Sequence, residues 1–372
     1  MLEFDRLAVC RRIVRQAAAG VAAMSALLAG SNGASAQQPD FYQGKTLTII
    51  VGLNSGGTVD TFVRSFTGYL AKHTPGKPGI IVNNMPGAGG LLATNYLMEK
   101  ASRDGLSIIY HLWDPLAQAL GHQGLRARYE QFEYLGGTSD TRVNYARVDS
   151  IPGGLKQPAD IAKAQMIAIG ALNNTDLSGL LPKMSMEVLG VKYKYITGYR
   201  GGNDIFLALQ RGEVHMHNTS IGTLRTRGAQ FLKSGDGMAI SYLVVADKNG
   251  TFVPNKYITD IPAFPDLYKQ VHGKPPSGPQ WDALNWIVQQ VSDLMYVGLA
   301  PPGTPPAALA ALRKGFEGAI NDPDFIAQSI KTNGLPFQFV PVDKGNAVFK
   351  ALASVSPEVL ATVRAAIGDA AK

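Results

Sequence analysis

Short apolar runs, each followed by a small polar loop and then a helical pattern, recur along this chain. Leu47–Val51 leads into Asn54–Asp60 and on to Thr61–His73, where Phe62, Phe66 and Leu70 fall on one helical face. Ile80–Val82 leads into NNMPGAGG and then Leu91–Lys100; Ser107–Tyr110 leads into HLWDP, and Met166–Ile169 into GALNNTD. Tyr193–Thr197 leads into GYRGGND, and Val214–Met216 into HNTSIG. Near-continuous apolar strands alternating with helices predict parallel sheets covered on both faces. Roughly seven such units exceed the usual size of one domain, so two α/β domains facing a cleft is the expected arrangement. Ligands of open α/β sheets bind beyond the carboxyl ends of the strands, where these loops fall.

Two stretches rich in Pro, Gly and Asn, 247–266 and 272–280, read as surface connections. Beyond them, Thr304 is expected to cap a helix with Pro305 in its first turn, and Leu309, Leu312, Phe316 and Ile320 form its apolar stripe. Ser356-Pro357-Glu358 opens a last helix in the same way.

The first 36 residues follow a different rule. A basic segment (Arg6, Arg11, Arg12, Arg15) precedes a short apolar run and Ala34-Ser35-Ala36, the outline of an export signal cut after about Ala36. The run is too short for a permanent membrane span. Arg11-Arg12 hints at twin-arginine export, but the flanking residues fit ordinary Sec export better. Cleavage would remove four of the 35 Lys and Arg, two of the 28 Asp and Glu, and Cys10, the single cysteine, so the net charge falls from +7 to +5. An exported, cysteine-free chain with charge on 17% of its residues suits the periplasm and suggests neither a disordered tail nor a nucleic-acid-binding one.

Candidate chemistry is sparse. Asn54–Asp60 has the outline of a phosphate loop but lacks the Gly-Lys-[Ser/Thr] ending and G-x-G-x-x-G spacing. What survives is a bare backbone at Gly56 and Gly57 before a helix N-terminus, an arrangement that favours an anion, for which a carboxylate serves as well as a phosphate. There is no G-x-S-x-G elbow and no H-E-x-x-H. His215 and His217 share a strand face, yet a third metal ligand at suitable spacing is missing, so no metal and no cofactor is expected. Asp60, Asp114, Asp140 and Asp204 flank loops and suit helix capping. Trp113 and Tyr199 stand in loops at strand ends, where each could line a pocket, and Arg200 could pair with a carboxylate. Trp281 and Trp286 read as core.

Together these segments resemble the substrate-binding proteins of tripartite tricarboxylate transporters, the Bug-type periplasmic solute receptors. The resemblance is carried by YQGKTLTIIVGLNSGGTVD (Tyr42–Asp60), IIVNNMPGAGGLLATNYL (Ile80–Leu97), DGLSIIY (Asp104–Tyr110), TGYRGGNDIFLALQRGEV (Thr197–Val214) and LAPPGTPPAALAALRKGFEGAINDPDF (Leu299–Phe325). It implies a type II periplasmic-binding-protein fold, two α/β lobes joined by crossing strands that close on a ligand like a Venus flytrap. Residues 37–143 and 246–372 would form one lobe and 144–245 the other. The resemblance further implies that Asn54, Ser55, Gly56, Gly57, Thr58 and Asp60, with Gly87, Ala88, Gly89 and Gly90, grip a carboxylate. Asn173, Asn174, Thr175, Asn218, Thr219 and Ser220 would select the remainder, beside Trp113, Tyr199 and Arg200. Delivery would be to a membrane permease of one large and one small subunit, by a monomer that is not an enzyme. Departures from the family pattern matter. Gly52-Leu53-Asn54-Ser55 replaces a Pro-Phe-Pro-like run, and Met85 stands where arginine is common. Thr219 stands near the position of an aspartate that engages amino groups, which favours a plain carboxylate over an amino acid. Two alternatives remain at this stage: a carboxylate sensor for a signalling partner, and an exported hydrolase built on His215 and His217.

Overall fold

The computed structural model describes residues 40–199, 201–246, 251–292 and 294–368, so the expected leader and Arg200 lie outside the described residues. β1 (Thr46–Val51) runs into α1 (Thr58–His73), β2 (Gly79–Asn84) into α2 (Leu91–Glu99), and β3 (Ser107–Leu112) into the short α3 (Pro115–Ala119). β4 (Glu133–Ser139) then crosses through Asp140 and Thr141 into β5 (Arg142–Arg147), which belongs to a different sheet. There follow β6 (Ile167–Gly170), α4 (Leu177–Leu189), β7 (Tyr193–Ile196), α5 (Gly202–Gln210), β8 (Met216–Ser220), α6 (Ile221–Thr226), α7 (Ala229–Lys233) and β9 (Gly237–Tyr242). The chain returns through α8 (Phe264–His272) and α9 (Pro279–Ser292) to β10 (Tyr296–Ala300). It ends with α10 (Pro306–Ile320), α11 (Pro323–Asn333), β11 (Gln338–Val340), α12 (Val342–Ala353) and α13 (Pro357–Ile367).

The strands form two sheets, ordered β11-β4-β10-β3-β1-β2 and β7-β6-β8-β5-β9. Neither is purely parallel, contrary to the sequence expectation. β10 runs antiparallel between β3 and β4, and β5 antiparallel between β8 and β9. Neither strand is among the apolar runs from which the parallel units were read. β11 pairs antiparallel with β4, whereas β1, β2 and β3 pair in parallel, as do β6, β7 and β8. β8 also corrects its predicted bounds: HNTSIG, expected as a loop, supplies the strand residues His217–Ser220. Its polar side chains do not break the strand because β5 answers them across the ladder, Asn144 opposite Asn218 and Arg142 opposite Ser220.

Side-chain alternation along β1 divides the first sheet's core. Ile49 and Val51 pack with Phe66, Tyr110 and Phe316 on one face, and Ile50 with Ile109, Tyr134 and Phe349 on the other. In the second sheet Val143 and Tyr145 pack toward Ile205 and Leu209 of α5, while Ile167, Ile169 and Met216 pack toward Leu180 and Met184 of α4. Phe264, Trp281, Leu284 and Ile367 join this last cluster, so α8, α9 and α13 also rest on it. Ser356 caps α13 as expected, accepting from Val359 N–H. Thr304 does not cap α10, whose N-cap is Pro305; the Thr304 hydroxyl donates instead to the Pro301 carbonyl at 2.8 Å.

Candidate functional site

Because β1 and β2 are adjacent and parallel, the turns that follow them emerge side by side at one end of the first sheet. Asn54, Ser55, Gly56 and Gly57 are exposed, as are Ala88 and Gly89. Of the first pair of glycines, Gly56 carries the conformational requirement, at φ +76°. Gly57, at φ −70°, caps α1 with no side-chain hydrogen bond. The first intrahelical bond runs from Thr61 N–H to the Gly57 carbonyl at 2.9 Å, which leaves the N–H groups of residues 58–60 without an intrahelical acceptor. In the second turn Ala88 is held at φ +47°, a left-handed conformation that costs a residue with a side chain about 1–2 kcal/mol.

Both turns rest on one buried side chain, His111 of β3, which no sequence motif singles out. A Cβ added at Gly52 would lie 2.9 Å from Gly90 Cα and 2.9 Å from His111 Nδ1, and one at Gly90 would lie 3.1 Å from the same nitrogen. The Thr94 hydroxyl stands 3.4 Å from Nε2, while Nδ1 has no hydrogen-bond partner within the protein. Loss of hydration holds the imidazole neutral, pushing its pKa down to about 3.

Asp60 is buried and braces the first turn. Its carboxylate accepts from Gly56 N–H at 2.8 Å, from Arg64 Nε at 2.9 Å and from Asn84 Nδ2 at 2.9 Å. Asn84 Nδ2 also donates to the Leu53 carbonyl at 2.9 Å, tying the end of β2 to the turn after β1. Led by the Arg64 hydrogen bond, these donors draw the Asp60 pKa down to about 2.

The second sheet repeats the arrangement. β6 and β7 are adjacent and parallel, β8 runs with them, and their carboxyl ends gather Asn173–Thr175, Tyr199 and Ser220. Here Asp176 is the brace: it accepts from Leu172 N–H at 3.0 Å, from Ser178 N–H at 3.1 Å and from the Ser178 hydroxyl at 2.6 Å. The Asn173 Oδ1 takes both the N–H and the hydroxyl of Thr175, each at 2.9 Å. Asn174 is half-buried, Thr219 is half-buried opposite Val143, and Tyr199 lies over Gly170.

Three other expected contacts have structural work instead. Trp113 is 5% exposed, and its indole N–H donates to the Leu294 carbonyl at 2.6 Å between the rings of Tyr129 and Phe349. It sits in the core because the segment after β3 turns inward, so no pocket wall is left for it. Ser220 caps α6, accepting from Thr223 N–H at 3.1 Å. Asn218 is fully buried and bonded to Arg142 and Asn144. Of the histidine pair, His215 Nδ1 accepts from Ala168 N–H at 3.1 Å, whereas His217 is buried against Tyr145 with Nδ1 unpartnered within the protein. Burial, helped by the charge of Arg142, pushes the His217 pKa down to about 3. Among the described residues no group of three or more His, Cys, Asp or Glu is placed to hold a metal ion.

Asp140 sits at the crossing and lines cavities on both sides of it. One, of about 770 Å³, lies between Tyr242–Val245, Pro254–Lys256 and Gln338–Val340 and contains none of the expected ligand contacts. The other, of about 260 Å³, is lined by Thr61 and Phe62 of α1, Ser220, Tyr296 and Phe325. Desolvation raises the Asp140 pKa to about 6.

These shifts set a pH dependence. Each histidine is neutral when folded and titrates near 6.5 when unfolded, so its contribution is full above pH 6.5 and is lost as pH falls from there toward 3. Asp140 acts oppositely, favouring the fold as pH drops through 6 toward 4. Two histidines with the larger displacements outweigh one aspartate, so the melting temperature falls on acidification from pH 7 to 5. Melts of a His111→Asn/His217→Asn double variant across that range check this; a slope as steep as that of the parent excludes the histidines as its source.

No family model matches the chain. It is 25% identical over 318 residues to a UPF0065 protein of Bordetella pertussis, spanning 81% of this chain and 84% of that protein. Its structure is similar to that of the periplasmic binding protein BugD, with 21% identity, a TM-score of 0.58 and coverage of 87% and 96% of the two chains. It is similar also to MatC from Rhodopseudomonas palustris with bound malate, with 20% identity, a TM-score of 0.57 and coverage of 87% and 99%. The architecture is that of the two-lobed type II periplasmic binding proteins, and the resemblance read from the sequence is borne out.

Proposed function

We propose that this chain, a Bug-type periplasmic binding protein in fold and sequence likeness, is an exported receptor that captures a small organic carboxylate between its lobes and delivers it to a membrane permease. The lobes are built on the two sheets, and the chain crosses from the first to the second at Asp140-Thr141. The observation that carries the reading is the pair of side-chain-poor turns after β1 and β2, packed against each other over a neutral His111. One turn leads directly into α1, whose first N–H groups lack intrahelical acceptors. An anion leaving water needs each oxygen hydrogen-bonded, and convergent backbone N–H groups provide that without a fixed charge that would slow release. The resemblance to MatC, which was solved with malate, fits a carboxylate. Asn54, Ser55, Gly56, Gly57 and Thr58, with Gly87–Gly90, are assigned to one carboxylate. Asn173–Thr175, Thr219, Tyr199 and Arg200 are assigned to the far side of the ligand.

A thermal-shift screen of the exported form against mono-, di- and aromatic carboxylates tests this. A ligand at a hundredfold excess over its dissociation constant stabilises by about 2.7 kcal/mol, a readily measured rise in melting temperature. If a sugar or nucleotide raises the melt and no carboxylate does, the reading is wrong.

A further inference from the structure

The cavity of about 770 Å³ contains none of the residues assigned to the carboxylate. The turns so assigned follow β1, β2, β6 and β7, and β2 and β7 are edge strands of the two sheets. The cavity lies toward the opposite edges, β11 and β9. Gln338–Val340 wall it from the first sheet, and Tyr242 with the segment after it from the second. Its size suits a small molecule, since such sites run to about 300–1,000 Å³ and are mostly apolar with a few placed polar groups.

The lining has that character. Val244, Val245, Phe339, Val348 and Ala351 are half-buried, so part of each apolar surface is left to the cavity. Lys256 and Lys344 also line it but are exposed, which keeps their charges in water. Asp140, at the crossing, accepts from Thr141 N–H at 2.7 Å. The informative residue is Gln290 of α9, which lines the cavity and is 1% exposed. Among the described residues its carboxamide has no hydrogen-bond partner. A buried amide left unanswered is costly, and such groups are normally met by protein, water or a ligand. Its two ends make opposite demands, because Oε1 accepts and Nε2 donates. A second amide edge, with C=O beside N–H, answers both at once whichever way the side chain is turned. A carboxylate, which only accepts, cannot.

We propose that this cavity is a second ligand site, for a small uncharged molecule with an apolar body and an amide edge that pairs with Gln290. The half-buried apolar walls take the body, and the carboxamide fixes its orientation. Selection here is by hydrogen-bond pattern, in contrast to the glycine turns of the first sheet, which favour an anion.

Calorimetric titration of the exported form with 4-butylbenzamide and 4-butylacetophenone tests this. The two probes differ only in an amino group replaced by methyl, and neither carries a charge that would draw it to the glycine turns. The parent is expected to bind the amide about tenfold tighter than the ketone, the worth of one hydrogen bond to a buried and otherwise unanswered group. Gln290→Leu should remove that preference, and its ligand-free form should melt no lower than the parent, since an unanswered buried amide is lost. Ala351→Trp places a ring in the cavity and should weaken both probes alike. If the tryptophan variant does not fold, the Gln290→Leu comparison decides alone. Equal affinity of the parent for the two probes, or a preference that survives Gln290→Leu, overturns the proposal. So does a ligand-free melt lowered by Gln290→Leu, which would make the glutamine structural, or undiminished affinity in a folded Ala351→Trp protein. Failure of both probes to bind at millimolar concentration also overturns it, and would mean that water alone answers the carboxamide.

Discussion

Gly52→Val will abolish ligand-induced stabilisation and destabilise the ligand-free fold. A side chain at this position points into the contact between the two first-sheet turns, where its Cβ alone would come within 2.9 Å of Gly90 Cα and His111 Nδ1. The obstruction on one side is backbone and on the other a histidine buried on all sides, so neither can yield cheaply. Overpacking of this kind costs about 1–3 kcal/mol. The larger consequence is geometric: the turns must separate, and donors that converge on one carboxylate within hydrogen-bond distance then cannot do so. A displacement of about 1 Å in such a constellation is enough for a loss on the order of 100-fold. Chemical denaturation of the ligand-free protein and thermal shift with a binding carboxylate separate the two effects. Ligand stabilisation that survives at parent strength would mean the turns do not act as a pair.

Asp60→Ala is expected to have an effect of similar size by a different route. The carboxylate holds Gly56 N–H, Asn84 and Arg64 together, and the side chain is 2% exposed. Its removal takes the acceptor from Gly56 N–H and one of two acceptors from the half-buried Asn84 amide, which keeps its bond to the Leu53 carbonyl, at a cost of roughly 1 kcal/mol for each bond lost. The exposed half of the Arg64 pair adds little of its own. The pH signature is specific. With a folded pKa of about 2, Asp60 stabilises the parent above its unfolded value near 4 and loses that contribution as pH falls through 4 toward 2. Urea melts at pH 7 and pH 3 should therefore differ less in the alanine variant than in the parent. An equal difference in both would show that Asp60 does not hold the turn.

The parts of the site that were legible in the sequence are those written in local pattern. A strand, a glycine turn and a helix in succession define Asn54–Gly57 and Gly87–Gly90, and parallel pairing of consecutive units then places such turns at one sheet end. Trp113 was misplaced because an aromatic residue after a strand looks the same whether its loop lies over a pocket or turns inward to Leu294. Asn218, in HNTSIG, follows the apolar run as a loop residue would, yet it lies in β8, where Asn144 and Arg142, some 75 residues earlier in the chain, satisfy it across the ladder. Asp60 was recognised as a loop-flanking acid. That it braces the turn depends on Asn84, at the end of the next strand.

Sequence alone determined the α/β class, the two-lobed architecture through its family resemblance, and the presence of anion-favouring turns, because apolar periodicity and backbone freedom are local properties. The tertiary structure decided which side chains remain available to a ligand. Burial and hydrogen bonding are settled by residues distant in sequence: His111 became a neutral floor for two turns, and Asp60 became a brace shared with Asn84.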